Sequence, residues 1–450
     1  MSFVALYPGP ATASAVQFRV IALGDDLPVL ATPANEVLAV NWSEPIDLTT
    51  NVPRIRFGTM HKNGLPSDTE FVVRAIETNG TEVARSQVCT LPSKLGTDSE
   101  LRVALASCYC RLNPSSRKAP ELFNRLFGAH GTPHLKIWCG DQVYLDSPAT
   151  FFLKHWDLSH EQIAANHVDH YLKTWSRDHL AVPLARGANI FAPDDHEYWN
   201  NAPYPNVVVP GLNDDDRRHY WRATASRLMR AFQGIPEYLA SPIRVPPVSL
   251  LVLDTRSARQ EQDDPQDFLA PADLNLFRNW VASLRDTGPG ILVLGQPIFL
   301  GAGASLLKPR MFEDFSLADY SQFSEVLRIL GSTERDVLVL SGDVHFTRAA
   351  HMNLPNGRTI HEVINSPLAL VVGLGRSKVD DATGFKKIPG VGALGSARAE
   401  TDENFKSNVD SGIYLGISQS GQHVNVRVEH WATDPPGSAA SPKPYSLRLF

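Results

Sequence analysis

The sequence has few cysteines and no excess of positive charge. Four cysteines in 450 residues are too few for a disulfide framework. Cys108 and Cys110 lie only two residues apart, a poor geometry for a mutual disulfide. The formal net charge of -6 excludes the basic footprint of a nucleic-acid-binding protein. An anionic substrate would therefore need a local cationic centre, such as metal ions, to attract it.

Targeting and membrane-spanning signals are also missing. The N-terminus has no basic region followed by a continuous apolar run, and it has no pair of arginines. No stretch reads as a transmembrane span. With 43% hydrophobic and 20% charged residues, the composition is that of an ordinary soluble protein, and we expect a cytoplasmic one. The sequence gives no indication of the oligomeric state.

Two domains are expected from the length and from a change of pattern near residue 97. Residues 1–97 predict an all-β domain, because short β-branched or alternating runs are separated by Gly, Pro, Asn and Asp turns. Gly64-Leu65-Pro66 before a strand resembles immunoglobulin and fibronectin type III sandwiches. No ligand cluster occurs there, so we interpret this domain as a packing or positioning module. The predicted strands are Val16–Leu23, Glu36–Trp42, Pro53–Thr59, Phe71–Glu77 and Thr81–Thr90.

Residues 98–450 predict an α/β domain. Helical patterns cover Pro120–Phe127, much of 151–181, Asp214–Phe232, Pro271–Arg285 and Leu317–Leu330. Buried strands are predicted at Leu101–Ala106, 135–139, 188–192, Ser249–Asp254, Ile291–Leu294, 336–340 and Ile360–Ile364, with a final β pair at Ile413–Ser418 and His423–His430.

Four of these strands end in side chains that bind metals. Parallel strands of α/β proteins deliver such residues to the carboxyl edge of the sheet, where sites are built. Cys, Asp, Tyr and His together span soft to hard metal ligands. Such a mixed cluster fits a multinuclear metal site in which a metal-activated hydroxide attacks a phosphoryl group. The four strand ends carry Cys108; Asp141 and Tyr144; Asp195 and His196; and Asp343 and His345.

The strand ends also resemble a known family. ASCYC, GDQVYLD, DDHEYWNN and SGDVH, with LDTRSAR and HEVINSP downstream, look like PhoD-type alkaline phosphatases of the calcineurin-like metallophosphoesterase superfamily. The resemblance covers roughly residues 100–370. It implies a four-layer α/β/β/α sandwich that hydrolyses phosphomonoesters and phosphodiesters. Members of this family are often exported, whereas this chain shows no export signal.

The resemblance assigns roles residue by residue. Cys108, Tyr144 and His345 would bind a first metal, Asp195 and Asp343 a second, and Asp141 would bridge both. His196 would orient the phosphoryl group or protonate the leaving oxygen. The implied metals are Fe(III), favoured by thiolate and phenolate, and Ca(II) at the carboxylate-rich position, with Mn(II), Zn(II) or another divalent pair as alternatives.

The sequence departs from the superfamily at two motifs. Cys108 replaces the opening Asp-x-His, and the fourth-motif histidine is missing, with Gln296 as the only polar residue there. We do not count Gln296 as a ligand. Arg111, just after the first ligand, is our candidate for a clamp on the substrate phosphate.

Other interpretations stay open for several of these residues. Cys108 is alternatively a small core residue, and Tyr144 a packed aromatic. Glu197 and Asn200 either orient ligands or lie at the surface, and Asn201 is similar. Asp254 and Arg256 predict an internal ion pair.

Two competing functions remain beside a phosphate-ester hydrolase acting on a small-molecule substrate. One is a phospholipase-D-like phosphodiesterase, and the other is a non-catalytic metal-binding protein. A dinucleotide site at Gly390–Gly395 is rejected, because no buried strand precedes this G-x-G-x-x-G run. Residues 371–410 form a lid or a plain loop.

Overall fold

The computed structural model describes residues 3–48, 54–205, 209–234, 241–262, 266–300, 315–371, 378–383, 398–434 and 444–450. Eight strands between residues 4 and 89 form two antiparallel four-stranded sheets, ordered β1-β2-β6-β5 and β4-β3-β7-β8. The strands are β1 (Val4–Ala11), β2 (Ala15–Leu23), β3 (Val29–Ala31), β4 (Val37–Leu38), β5 (Asn41–Trp42), β6 (Ile55–Asn63), β7 (Glu70–Ile76) and β8 (Glu82–Cys89).

The all-β character of this part is confirmed, with local corrections. The sequence missed β1 because prolines and a glycine interrupt its apolar pattern, and it missed the three-residue β3. The single strand predicted over Glu36–Trp42 is instead two short strands. The dinucleotide-like run at Gly390–Gly395 lies outside the described residues, as does half of segment 371–410.

The rest of the chain alternates helices and strands. The helices are α1 (Ala119–His130), α2 (Ala149–Lys154), α3 (His160–Thr174), α4 (Ala181–Leu184), α5 (Asp215–Gln233), α6 (Pro271–Thr287) and α7 (Phe323–Gly331). The strands are β9 (Leu101–Ala106), β10 (Leu135–Cys139), β11 (Ala188–Ala192), β12 (Ile243–Val245), β13 (Val248–Val252), β14 (Gly290–Val293), β15 (Val337–Ser341), β16 (Thr347–Asn353), β17 (Thr359–Ile364), β18 (Ala399–Ser407), β19 (Ser411–Ser420), β20 (His423–Ala432) and β21 (Tyr445–Leu449).

These strands form two mixed sheets, ordered β11-β10-β9-β19-β20-β21 and β12-β13-β14-β15-β17-β16-β18. Side chains of the second sheet alternate between two cores, as the period of a strand requires. Val252, Val293 and Leu340 share a core with the first sheet, whereas Leu251 and Leu292 pack with helices α6 and α7. Helix α1 covers the first sheet. The predicted α/β/β/α sandwich is confirmed.

The N-terminal sheets are joined firmly to this sandwich. The buried Arg19 donates hydrogen bonds to the carbonyls of Arg230 (2.9 Å) and Ala231 (3.3 Å) at the end of α5. The backbone N–H of Gln87 donates to the carbonyl of Ala185 at 2.8 Å. Apolar residues of both parts share one core. The domain boundary near residue 97 stays a prediction.

Over the described residues, no helix combines the length and the apolar character that a bilayer crossing requires.

Glycines allow the strand-end loops to approach one another. Gly140 has φ +77°, and a Cβ there would lie 2.4 Å from the Cβ of Asp194. A Cβ on Gly342 would lie 2.3 Å from the carbonyl oxygen of Cys139. The loops after β10, β11 and β15 therefore pack closely at the edge where the parallel strands end.

Gly140→Ala should destabilise the fold, whereas Gly128→Ala should not. The first change places a side chain at a left-handed φ, which costs about 1–2 kcal/mol of stability. It also overpacks the contact with Asp194, which costs about 1–3 kcal/mol. Gly128 lies exposed in α1, and a Cβ added there would meet no atom within 4 Å, so alanine should stabilise the helix by about 0.5–1 kcal/mol. Urea unfolding measures both, and equal midpoints for the two variants would contradict the close approach.

Candidate metal centre

The strand ends bring together the thiol and the carboxylates that the sequence singled out. Cys108 Sγ lies 3.4 Å from Asp141 Oδ2 and 3.5 Å from the carbonyl oxygen of Asp343. Ligand atoms of Asp141, Asp195 and His196 lie within 4.8 Å of one another, and so do those of Asp194, Asp195 and Asp343. Buried groups of this kind could hold metal ions.

The backbone is strained at four of the predicted ligands. Cys108, Asp141, Asp343 and His345 have φ values of 53°, 62°, 71° and 59°, in the region that L-residues rarely adopt. Such strain persists where the surrounding structure imposes it, and it clusters at functional sites. Because Asp343 and His345 lie two residues apart, their side chains would point the same way on a regular strand. They do not lie on one, because β15 ends at Ser341 and both residues follow it in left-handed conformations.

Among the predicted ligands, two carry a buried oxygen atom that lacks a hydrogen-bond partner within the described part of the chain. The atoms are the hydroxyl of Tyr144 and Oδ1 of Asp195. Buried polar atoms are nearly always satisfied, and an exception calls for an explanation. Both residue types bind metals through oxygen, so bound cations would satisfy both atoms. The donor set therefore fits the metals that the sequence implied.

The electrostatics of the cluster support the same fit. Burial, followed by the charges of Asp141 and Asp343, raises the pKa of the Cys108 thiol well above its usual value. Burial likewise raises the pKa of Asp141 and of the Tyr144 phenol well above their usual values. Ionising the thiol, the phenol and the carboxyl group together therefore costs free energy when no cation is bound. A bound cation reverses that cost and favours their ionised forms.

His196 is oriented by a carboxylate that the sequence analysis left without a role. Its Nδ1 is hydrogen-bonded to Oδ1 of Asp146 at 2.9 Å, and its ring stacks on Tyr144 with centroids 4.0 Å apart. The backbone N–H of Asn200 donates to Oδ2 of Asp146 at 2.7 Å. Burial alone would lower the pKa of His196, but Asp146, Asp195 and Asp141 outweigh it and raise the pKa well above normal.

Glu197 is buried and orients the ligand loops, which settles the choice between an orienting and a surface position. Its carboxylate accepts backbone N–H groups from Asp141 (2.9 Å), Gln142 (2.7 Å) and Asp194 (3.0 Å). It thus ties the loop after β10 to the loop after β11. The N–H of Asn201 donates to Oδ2 of Asp195 at 2.5 Å and fixes that carboxylate.

The predicted ion pair between Asp254 and Arg256 was wrong in its partner. Arg256 is buried, and its guanidinium pairs with Asp194 at 2.6 Å. Asp254 instead accepts the backbone N–H groups of Arg256 (3.0 Å) and Ser257 (2.8 Å), closing a turn. Because Arg256 neutralises Asp194, we assign Asp195 rather than Asp194 as the ligand candidate.

Gln296 contacts Asp343 as a hydrogen-bond donor. Buried Arg259 donates to its Oε1 at 2.6 Å, so the amide nitrogen faces Asp343 Oδ2 at 3.1 Å. Arginine carries only donors, which fixes the orientation of the amide. Gln296 therefore positions the carboxylate of Asp343, and its exclusion from the ligand set stays a prediction.

His345 and Arg111 lie in different surroundings. His345 lines the same cavity as Asp343, and burial lowers its pKa to about 4, so its imidazole is neutral and able to bind a metal.

Arg111 is half-buried and does not line that cavity. Burial is the largest cause that lowers the pKa values of His170 and His179, and the charge of Arg111 is the second. The phosphate-clamp role of Arg111 stays a prediction.

A second cluster, Asp68, Cys89 and His134, has the right residue types for a metal. The backbone N–H of Arg102 donates to His134 Nδ1 at 3.0 Å, so Nε2 carries the proton and faces Asp68 at 2.8 Å. The guanidinium of Arg102 lies 3.4 Å from Asp68. Arginine thus supplies the positive charge, and this cluster is a polar junction between the N-terminal sheets and the sandwich.

No protein-family model matches the chain, and no curated protein sequence matches it. A solved structure of PhoD aligns over 99% of this chain and 90% of its own, with a TM-score of 0.64 at 15% sequence identity. The fold is that of PhoD. An amylomaltase from Corynebacterium glutamicum aligns over 75% of this chain and 62% of its own, at 9% identity and a TM-score of 0.15, which carries no structural argument.

The PhoD fold confirms the resemblance drawn from the strand-end motifs at the level of architecture. At 15% identity the likeness establishes the fold alone. The chemistry therefore depends on the side chains described above, and their roles as ligands stay predictions.

Without bound metal, Asp141 should destabilise the folded chain to an extent that depends on pH. Its raised pKa means that the folded, metal-free chain binds a proton more tightly than the unfolded chain. The contribution of Asp141 to the free energy of unfolding is therefore fully present below its unfolded pKa of about 3.9, and it is lost as the pH rises through the higher folded pKa. In chelated protein, Asp141→Asn should raise the melting temperature more at pH 7 than at pH 5.

With metal added, the same substitution should lower the melting temperature, because a ligand is lost. Thermal unfolding with and without chelator measures both effects, and Asp286→Ala, at an exposed site on α6, is the control. The same sign of change in both conditions would contradict the assignment of Asp141.

Proposed function

We propose that the chain is a metal-dependent hydrolase of phosphate esters. The observation that carries this proposal is the buried cluster of Asp141, Asp195, His196 and Asp343, whose ligand atoms lie close enough together to hold metal ions, with unsatisfied oxygens on Tyr144 and Asp195. The cluster opens into a cavity of about 620 Å³, which His196, Asp343 and His345 line. A cavity of this size accommodates a small-molecule ester.

The proposed metal ligands divide as the motifs indicate. Cys108, Tyr144 and His345 would hold a first ion, for which thiolate and phenolate favour Fe(III). Asp195 and Asp343 would hold a second, harder ion such as Ca(II), with Asp141 between the two. Bound there, the ions would activate a water molecule and neutralise charge on the phosphoryl oxygens.

His196 is the proposed proton donor to the leaving oxygen. Asp146 engages its Nδ1, so Nε2 remains for the substrate. The hydrogen bond and the charge of Asp146, which lies outside the proposed ligand set, favour the protonated imidazole that a general acid requires. A stacked Tyr144 ring limits rotation of the imidazole. A purely structural metal site has no need of a histidine held in this way, which disfavours the non-catalytic alternative.

A preference for phosphodiesters is favoured by the charge of the cavity outside the proposed ligands. Its described lining there includes Asp380 and Asp381, of which Asp381 pairs with Lys406, and contains no lysine or arginine. A phosphodiester carries one negative charge, whereas a monoester carries two near neutral pH. The acidic lining therefore disfavours the monoester, and a phosphodiesterase, including one of the phospholipase-D type, is the more specific candidate.

Turnover of aryl phosphate esters tests the proposal. Bis(p-nitrophenyl) phosphate should be hydrolysed with a higher kcat/KM than p-nitrophenyl phosphate. Asp141→Ala and Asp343→Ala should abolish both activities, whereas Asp286→Ala should retain them. Full activity in both ligand variants would refute the proposed centre, and a preference for the monoester would refute the diester assignment alone.

Visible absorption tests the first metal. A phenolate bound to Fe(III) absorbs visible light, so iron-loaded protein should be coloured. Tyr144→Phe should remove the colour while iron remains bound through Cys108, as measured by elemental analysis. Tyr171→Phe, which removes another buried hydroxyl, on helix α3, is the matched control. Colour that survives Tyr144→Phe would rule out this ligand.

A further inference from the structure

Ser366 lies between two of the proposed ligands of the first metal. It follows strand β17 and is completely buried. Its Oγ lies 3.0 Å from Cys108 Sγ and 2.9 Å from the backbone nitrogen of His345. One hydroxyl group therefore contacts the two ligand loops that follow β9 and β15.

The protons of these contacts can be assigned from the donors and acceptors. The backbone N–H of His345 can only donate, so the oxygen of Ser366 accepts that bond and keeps its own proton. Cys108 Sγ lies within reach of this proton. A sulfur that has lost its proton can only accept a hydrogen bond, so the Ser366 hydroxyl donates to the thiolate form of Cys108.

A second hydroxyl beside the same sulfur has its proton engaged elsewhere. Ser107 Oγ lies 3.3 Å from Cys108 Sγ, but it also lies 2.6 Å from the carbonyl oxygen of Asn365. A hydroxyl has one proton to donate, and a carbonyl oxygen can only accept. The shorter contact takes that proton, so Ser366 rather than Ser107 supplies the donor to the sulfur.

Backbone hydrogen bonds fix the position of Ser366 on both sides. The N–H of Ala369 donates to the carbonyl of Cys108 at 3.1 Å, which holds the loop after β17 against the loop after β9. The N–H of Asn365 donates to the carbonyl of Ser341, the last residue of β15, also at 3.1 Å. The hydroxyl is therefore held beside the sulfur by the strand ends themselves.

We propose that Ser366 is a positioning residue of the metal centre, which tunes the Cys108 thiolate by donating a hydrogen bond to its sulfur. This role rests on the proposed hydrolase function, because it concerns one of the proposed metal ligands. A hydrogen bond to the charged form of a group favours that form, so the hydroxyl offsets part of the cost of ionising a buried thiol. It also withdraws electron density from the sulfur, which leaves a bound cation more positive.

Cobalt(II) is the probe for this hydrogen bond, because a thiolate bound to Co(II) gives a charge-transfer band in the near ultraviolet. Titration of the chelated full chain with Co(II) should produce this band, and Cys108→Ser should remove it. Ser366→Ala should move the band to longer wavelength, because a sulfur without its hydrogen bond gives up an electron more readily. It should also weaken Co(II) binding about 10–100-fold. Looser packing of the ligand loops alone would weaken binding without moving the band.

Matched variants separate this hydroxyl from the loss of any buried serine. Ser107→Ala should leave the band in place, because the proton of Ser107 goes to Asn365. Ser86→Ala removes a buried hydroxyl of β8 that donates to the carbonyl of Ala185 at 2.9 Å, and it should change neither the band nor the affinity. Ser366→Thr keeps the hydroxyl and should restore the wild-type wavelength.

Failure of this inference is distinguishable from failure of the proposed metal site. A band that depends on Cys108 but stays at the wild-type wavelength in Ser366→Ala would overturn the role of Ser366 alone. A wild-type chain that gives no such band would overturn both. If Ser366→Ala does not fold, resonance Raman spectra of the wild-type cobalt form decide. The cobalt–sulfur stretching frequency should shift when the bridging proton is exchanged for deuterium, and an unchanged frequency would overturn the role.

Discussion

A thiol, a phenol and several carboxylic acids are buried beside one another where the strands of the sandwich end. Water cannot solvate their charges there, and their mutual repulsion opposes ionisation. Burial raises the pKa values of Cys108, Asp141 and Tyr144 for this reason. A compensating positive charge would make the cluster favourable in its ionised form, and the unsatisfied oxygens of Tyr144 and Asp195 lie beside it.

The rest of the sandwich holds this arrangement in place. Glu197 joins two ligand loops through backbone N–H groups, and Arg256 neutralises Asp194, the acid that we do not count as a ligand. Arg259 orients Gln296, which in turn donates to Asp343. These contacts hold the proposed ligands in place despite their left-handed backbone conformations. Preorganisation of this kind is what metal sites require of their surroundings.

Part of the candidate site could be predicted from the sequence, because a buried apolar run followed by Gly-Asp is a local pattern. It placed Cys108, Asp141, Asp195 and Asp343 at strand ends, and the strands themselves lie within one or two residues of prediction. The supporting contacts could not be read in the same way. Arg256 pairs with Asp194 across 62 positions, and which acid it meets depends on the tertiary path of the chain. The end of β15 was predicted to within one residue, but the left-handed conformations of Asp343 and His345 beyond it are not specified by the apolar pattern.

The central claim is that cations bind among Cys108, Asp141, Asp195 and Asp343. Anomalous diffraction from crystals of metal-loaded protein, recorded on both sides of the iron absorption edge, tests it most directly. The account predicts an iron peak in contact with Cys108 Sγ and a carboxylate oxygen of Asp141, with a second peak beside Asp195 and Asp343. A map with no peak within bonding distance of these side chains, in protein that elemental analysis finds metal-loaded, would contradict it.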